Sequence, residues 1–321
     1  MDILLTGSVA YDYLMTFPGL FKEQILPERL ASISLSFLVE SMSRQRGGVA
    51  PNIAYTMALL GERPRVMATV GEDFEEYRAW LESKGVDTSL MMVVPGLFTA
   101  SFFATTDRAN AQIASFYPGA MDHAGTQSIK ELPSKPDLVL VSPNEPRAMT
   151  KFAAECRELG IPYLYDPSQQ VLRLEGHELA RDMEGAYFLF CNDYEYGLIS
   201  KKTGWNLEQI LKRVEVVVVT RGKDGATLYT NGEEHHIPTV PERKVVDPTG
   251  VGDAFRGGFL AGYARGFDWK LCGQIGSLAA VYCLEQQGTQ NHYYTPAEFV
   301  ARFREHFDDE GKLDQILESR E

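Results

Sequence analysis

Cysteine is scarce and unpatterned in this chain. Cys156, Cys191, Cys272 and Cys283 stand far apart with no Cys-x-x-Cys, which argues against a zinc site and against a disulfide framework. The six histidines show no His-x-x-x-His spacing, and the pair His235-His236 reads as solvent-exposed. No apolar run reaches the roughly 18 residues that a membrane-spanning helix needs. No Gly-x-x-x-x-Gly-Lys-Ser/Thr occurs, which excludes a P-loop. Positive charge is also short: 31 Lys and Arg face 44 Asp and Glu, a net charge of −13. Such a balance disfavours nonspecific nucleic-acid binding and docking on anionic membranes. Met1-Asp2 leads straight into an apolar strand, so we expect no signal peptide and a cytoplasmic location.

What is present is an ordinary globular composition, 44% apolar and 23% charged over 321 residues, ample for one large α/β unit spanning 1–321. The most informative stretch is Val246-Asp247-Pro248-Thr249-Gly250-Val251-Gly252-Asp253-Ala254-Phe255-Arg256-Gly257-Gly258. Pro248 fixes one φ angle, and Gly250 and Gly252 permit backbone closed to bulkier residues. Phe255, Phe259, Leu260 and Tyr263 then fall on one helical face. The glycines and Asp253 therefore sit at a helix start, where free amides and the dipole favour phosphate. The same amides would keep the Asp253 carboxylate ionised, as a base for a hydroxyl attacking phosphorus. The plainer alternative is that Asp253 caps a core helix. A dinucleotide fingerprint is excluded, because Phe255 stands where its third glycine would be.

The remainder alternates in two styles. Ile3-Leu4-Leu5-Thr6-Gly7 reads as a buried strand, with Asp12 shortly after it as a hydroxyl acceptor or a helix cap. Residues 14–46 are broken by Pro18, Gly19 and Pro27, and Ile33-Ser34-Leu35-Ser36-Phe37 alternates with period two. Residues 92–119 hold two further strands around the turn Asp107-Arg108-Ala109-Asn110. These two segments form one small sheet covering the site. From Asp137 onward strands and helices alternate regularly, the βαβ signature of a mostly parallel sheet.

Asp247-Pro248-Thr249-Gly250-Val251-Gly252-Asp253, followed by Gly257-Gly258, resembles the C-terminal motif of the ribokinase/PfkB sugar and nucleoside kinases. Val251 departs from the pattern, where that family has Ala or Gly. Arg46-Gly47-Gly48-Val49-Ala50-Pro51-Asn52 resembles the family's Gly-Gly-x-x-x-Asn motif. With Asn192-x-x-Glu195 and Thr220-Arg221-Gly222, four motifs run in order through nearly the whole chain. The resemblance implies a three-layer α/β/α ribokinase-like fold with a mostly parallel central sheet and a small β lid from 14–46 and 92–119. It implies ATP and Mg²⁺, with Asp253 as catalytic base and the amides of Gly250, Val251, Gly252 and Asp253 as anion hole. Asp12, Gly47, Gly48 and Asn52 would orient the acceptor. Asn192-x-x-Glu195 resembles the motif that reaches Mg²⁺ and phosphates through water, although a helix cap by Asn192 fits the spacing as well. Thr220-Arg221-Gly222 with Gly225 resembles the nucleotide loop. Some members bind a monovalent cation such as K⁺, and Asp247 and Thr249 match half of that site. Arg108 resembles the lid arginine of adenosine kinases, with solvation at a turn as the alternative.

The function this implies is ATP-dependent phosphorylation of a primary hydroxyl. Leu20, Phe21, Phe37, Leu97, Phe98, Phe102, Phe103 and Phe116 make the inserted segments apolar. Period-two alternation turns roughly four of them toward the site, a surface suited to stacking a purine. We therefore expect a nucleoside acceptor, adenosine first, phosphorylated at its 5′ hydroxyl. Ser8 stands against this, at a place where adenosine kinases carry an asparagine. A sugar kinase (ribose, fructose or related) is the alternative, and a non-catalytic sugar- or nucleotide-binding homologue the rival of a different class. The expected partner is a small molecule, with the protein a monomer or homodimer.

Overall fold

The computed structural model describes residues 1–25, 34–230 and 232–318. Its strands in chain order are β1 (Ile3–Thr6), β2 (Ala10–Thr16), β3 (Ser41–Gly47), β4 (Arg65–Val70), β5 (Met91–Val93), β6 (Ala100–Thr106) and β7 (Gln112–Tyr117). They continue with β8 (Leu138–Val141), β9 (Tyr163–Tyr165), β10 (Phe188–Asn192), β11 (Val216–Thr220), β12 (Ala226–Tyr229) and β13 (Glu234–Ile237).

Nine strands form one sheet in the order β13-β12-β11-β10-β9-β8-β1-β4-β5. All neighbours from β11 across to β5 are parallel, and β12 and β13 add an antiparallel edge. Both faces are covered, which is why Leu138-Val139-Leu140-Val141 is apolar without alternation. Leu138 and Leu140 join the core beneath helices Val49–Leu59, Val251–Ala264 and Trp269–Leu284. Val139 and Val141 join the opposite core beneath Pro146–Leu159 and Gly176–Met183. Each such side chain stabilises the fold by about 1.5–3 kcal/mol. Among the described residues no helix is long and apolar enough to cross a membrane.

The chain leaves β1 toward β4 on one side and returns to β8 on the other. This reversal opens a crevice beyond the carboxyl ends of β1 and β8, where open α/β sheets bind ligands.

A second sheet has the order β3-β2-β6-β7. It starts at Ala10, so Asp12 lies within a strand and not in a loop after β1. The expected strand around residues 33–37 is displaced: Ile33 falls outside the described residues, residues 34–39 carry no regular structure, and the strand is β3. Ser34 through Phe37 alternate, but Phe37 is used to pack on Phe17 and Phe21, which satisfies its apolar surface without sheet pairing. β6 begins at Ala100, two residues later than Phe98, because Asp73 Oδ1 captures the Thr99 amide and hydroxyl at 2.8 Å each.

Candidate active site

The helix Val251–Ala264 starts without a side-chain cap. Gly250, at φ +79°, turns the chain into it, and a Cβ there would meet Thr289 Cγ2 at 2.8 Å. The Val251 amide reaches Pro248 O at 3.4 Å, while those of Gly252 and Asp253 have no acceptor among the described residues. An uncapped helix start with two free amides is a site for a phosphoryl oxygen.

These amides face a cavity of about 400 Å³, within the range of small-molecule sites. Ser8, Asp12, Gly48 and Asn52 line it on one side, and Asn192, Glu195 and Thr220 on another. Thr249, Gly250, Gly252 and Asp253 also line it. Three distant segments thus converge where β1, β10 and β11 end.

Asp253 faces the cavity and is partly exposed to it. Its Oδ2 accepts a hydrogen bond of 2.9 Å from Asn52 Nδ2. Burial pushes its carboxyl up to about 7, against the opposing pull of Arg256 and of the Asn52 hydrogen bond. The helix-start amides expected to keep this carboxylate ionised are thus opposed by desolvation, which outweighs them and the neighbouring cation.

Arg256 lies one turn along the same helix. Its guanidinium is buried and sits against Asp166, with Nε to Oδ2 at 2.5 Å and Nη2 to Oδ1 at 3.0 Å. Nη1 donates to the Gly252 carbonyl at 3.0 Å. Burial raises Asp166 to about 6 in spite of this partner. The strand end at Asp166-Pro167 was the available signal, because ligand-side residues collect at carboxyl ends of parallel strands. Ser168 and Gln169 follow directly and also line the cavity; Ser168 is held at φ +40°, an uncommon conformation for a residue with a side chain.

In the second sheet, register places residues that are distant in sequence side by side. Asp12 pairs with Gln45 and Phe102, and Phe102 pairs with Phe116. Residues in one such row share a face, and Asp12, Phe102 and Phe116 line the cavity. No donor among the described residues reaches the Asp12 carboxylate, which burial, and then the charge of Asp247, raises to about 6. Gly47 gives it room, since a Cβ there would lie 2.6 Å from Asp12 Oδ2. Of the eight apolar lid residues, these two phenylalanines alone line the cavity, not four. Phe103 faces the other way and stacks on Tyr13 at 4.8 Å, and Phe17, Phe21 and Phe37 pack on one another.

Other expected residues are placed differently. Asn192 and Glu195 cap their helix reciprocally at 2.8 Å, Asn192 Oδ1 accepting from the Glu195 amide and Glu195 Oε2 from the Asn192 amide. The cap reading therefore holds, and both residues line the cavity as well. Thr220 does too, whereas Arg221, Gly222 and Gly225 shape the β11–β12 turn behind it, with Arg221 Nη2 donating to Tyr229 Oη at 3.0 Å. Arg108 is exposed at the β6–β7 turn and does not line the cavity; Asp107 fixes that turn by accepting from the amides of Ala109 and Ala111. Asp247 lies behind the anion hole. Burial opposes its charge, but hydrogen bonds from Thr249 and the Gly288 amide hold it below the usual carboxylate range. Among the described residues no three acidic, thiol or imidazole side chains gather to hold a metal ion.

A family model described as pfkB family carbohydrate kinase matches residues 6–296. A nucleoside kinase of Methanothermobacter thermautotrophicus is 31% identical over 306 residues, covering 94% of this chain and 95% of that protein. The structure of Burkholderia thailandensis nucleoside kinase in complex with inosine is 39% identical, with a TM-score of 0.85 over 95% of this chain and 98% of that one. The same protein in complex with ADP-inosine is 40% identical, with a TM-score of 0.83 over 95% and 96% of the two chains.

Proposed function

We propose, for a chain that belongs to the pfkB family of carbohydrate kinases and so is an ATP-dependent phosphotransferase acting on an alcohol, that the acceptor is a purine nucleoside phosphorylated at its 5′ hydroxyl. One observation carries this reading. The row Asp12–Phe102–Phe116 sets an unpartnered carboxylate beside two aromatic rings, opposite Asp253 and the free amides. Vicinal ribose hydroxyls suit the carboxylate, and a flat base suits the rings. A free sugar offers the rings only its small C–H face, whereas a purine offers a flat aromatic one. The complexes of the Burkholderia protein with inosine support a nucleoside, and adenosine is the other purine nucleoside we propose.

In this reading Asp253 takes the proton of the 5′ hydroxyl as its oxygen bonds to the γ-phosphorus. The bond from that phosphorus to the bridging oxygen breaks, and its electron pair leaves with ADP. A carboxyl near 7 suits a base working at neutral pH. The amides of Gly252 and Asp253 hold the charge on the transferring group, and positioning supplies much of the remainder. Asn192, Glu195 and Thr220 are assigned to the triphosphate side. Mg²⁺, when bound, neutralises phosphate charge. Glu195, on the cavity wall, would act on an ion held by the phosphates and water. Asp247 and Thr249 are assigned to a monovalent cation, and ATP as donor supports a cytoplasmic location.

The test is ADP release against adenosine, inosine, cytidine, ribose and fructose. Acceptor-dependent release with a purine nucleoside supports the reading. Robust turnover of a free sugar with none on any nucleoside overturns it, and acceptor-independent silence across the panel favours a binding protein.

A further inference from the structure

The 285–290 loop after helix Trp269–Leu284, expected only to offer carbonyls to a monovalent cation, contacts Asp247 and the 46–52 segment through side chains and amides. The Gly288 amide donates to Asp247 Oδ2 at 2.9 Å, and Thr289 Oγ1 donates to the Arg46 carbonyl at 2.8 Å. Between this loop and the base runs a chain of hydrogen bonds with one consistent direction. Tyr77 Oη donates to the Gly47 carbonyl at 2.9 Å. Gln290 Nε2 donates to Tyr77 Oη and, at 2.9 Å, to Asn52 Oδ1. Asn52 Nδ2 donates to Asp253 Oδ2 at 2.9 Å. Gln290 and Asn52 are 3% and 4% exposed, and Gln290 lies behind the cavity that Asn52 lines.

The direction follows from chemistry. A main-chain carbonyl only accepts, so the Tyr77 hydroxyl must give its proton to Gly47 and offer a lone pair to Gln290. The Tyr77 oxygen then faces the Gln290 amide as an acceptor, so the Gln290 NH₂ end must point at it and, beyond it, at Asn52. This leaves Gln290 Oε1 buried without a donor among the described residues. The two bonds made on its nitrogen end fix the orientation regardless. With a donor set against Asn52 Oδ1, the Asn52 NH₂ end is forced toward Asp253. A flipped Asn52 would oppose its carbonyl to a carboxylate oxygen.

We propose that Gln290 is a positioning residue for phosphoryl transfer: by fixing which end of the Asn52 amide meets Asp253, it pins Oδ2 and leaves Oδ1 for the acceptor hydroxyl. The inference rests on the assignment of Asp253 as the base. It gives Asn52 a function besides contact with the acceptor, since its second N–H stays available for a hydroxyl.

Gln290→Glu keeps the shape and replaces two donors by acceptors, while Gln290→Leu removes polarity altogether. Without Gln290 behind it, the Asn52 hydrogen bond to the charged Asp253 is weakened, and loss of such a bond lowers turnover by roughly 10- to 100-fold. We expect kcat to fall by that factor in both variants, more for Glu, with KM for ATP unchanged. Tyr77→Phe should move kcat the same way by less. The decisive measurement is a double-mutant cycle: in an Asn52→Ala background, Gln290→Leu should change kcat less than about twofold, because the route to Asp253 is already cut. Additive losses, or unchanged kcat in the single variants, overturn the proposal. Loss of KM for both substrates in step with a lowered melting temperature also overturns it, as a packing role only. Asp253→Asn is measured alongside. If that variant stays active, the base assignment has failed; if it is inactive while the Gln290 variants are normal, the failure lies with Gln290.

Discussion

Replacing Asp253 by Asn makes two predictions from one substitution. The amide can turn its carbonyl toward Asn52 Nδ2 and keep the 2.9 Å contact, so packing is preserved. What disappears is the proton acceptor, and a lost general base lowers turnover by roughly 10²–10⁴-fold. What also disappears is a carboxylate that burial has pushed from 3.8 to about 7. Between these two values the folded protein keeps a proton that the unfolded chain has released. Stability from this group is therefore full below about pH 4, declines as pH rises, and is lost above about 7. The Asn variant has no such decline. Asp12, raised likewise to about 6, titrates in both proteins and drops out of the difference, whereas Asp166 is coupled to Asp253 and belongs to it. Because Asp253 opens partly to the cavity, solvent screening reduces the gap to about 1–2 kcal/mol in favour of Asn at pH 8. Steady-state kinetics with an acceptor nucleoside, and thermal melts at pH 5 and pH 8, read both effects. Near wild-type kcat would refute the base assignment. An Asn variant that melts below wild type at pH 8, relative to pH 5, would refute the desolvation argument.

Asp12→Ala should lower kcat/KM for the acceptor by about 1–3 kcal/mol in free-energy terms, with KM for ATP unchanged; equal weakening for both substrates would indicate a folding defect instead. Gly250→Ala puts a methyl where φ is +79° and Thr289 Cγ2 lies 2.8 Å away, so ATP affinity should drop together with kcat, by isothermal titration and kinetics, while a neutral result would free Gly250 from its place in the anion hole. Arg256→Leu strands the buried Asp166 and should destabilise by about 3–5 kcal/mol in urea unfolding, and Asp166→Asn added to it should recover part of that loss.

Local sequence carried the scaffold because elements are encoded by spacing and by turn residues. The β-branched run ending at Thr220 is β11, Gly160 at φ +60° stops helix Pro146–Leu159, and Asp253 sits at a helix start where the two glycines placed it. The segments of the second sheet were legible as non-helical, but their register was not. It is register that sets Asp12 beside Phe102 and Phe116 and sends Phe103 away. A shift of one residue would have reversed those faces without changing the composition. Pairings across long separations were likewise invisible. Asn52 meets Asp253 across 201 residues, Arg256 meets Asp166 across 90, and Gln290 meets Asn52 across 238. None of these pairs has a period or a local spacing to betray it, because hydrogen bonding is directional and depends on how packed elements come to rest. The acidity of Asp253 belongs to the same category. Its identity as a carboxylic acid was written in the chain, but the balance between burial, the Asn52 amide and the Arg256 cation exists only once the helix is seated against the end of β9.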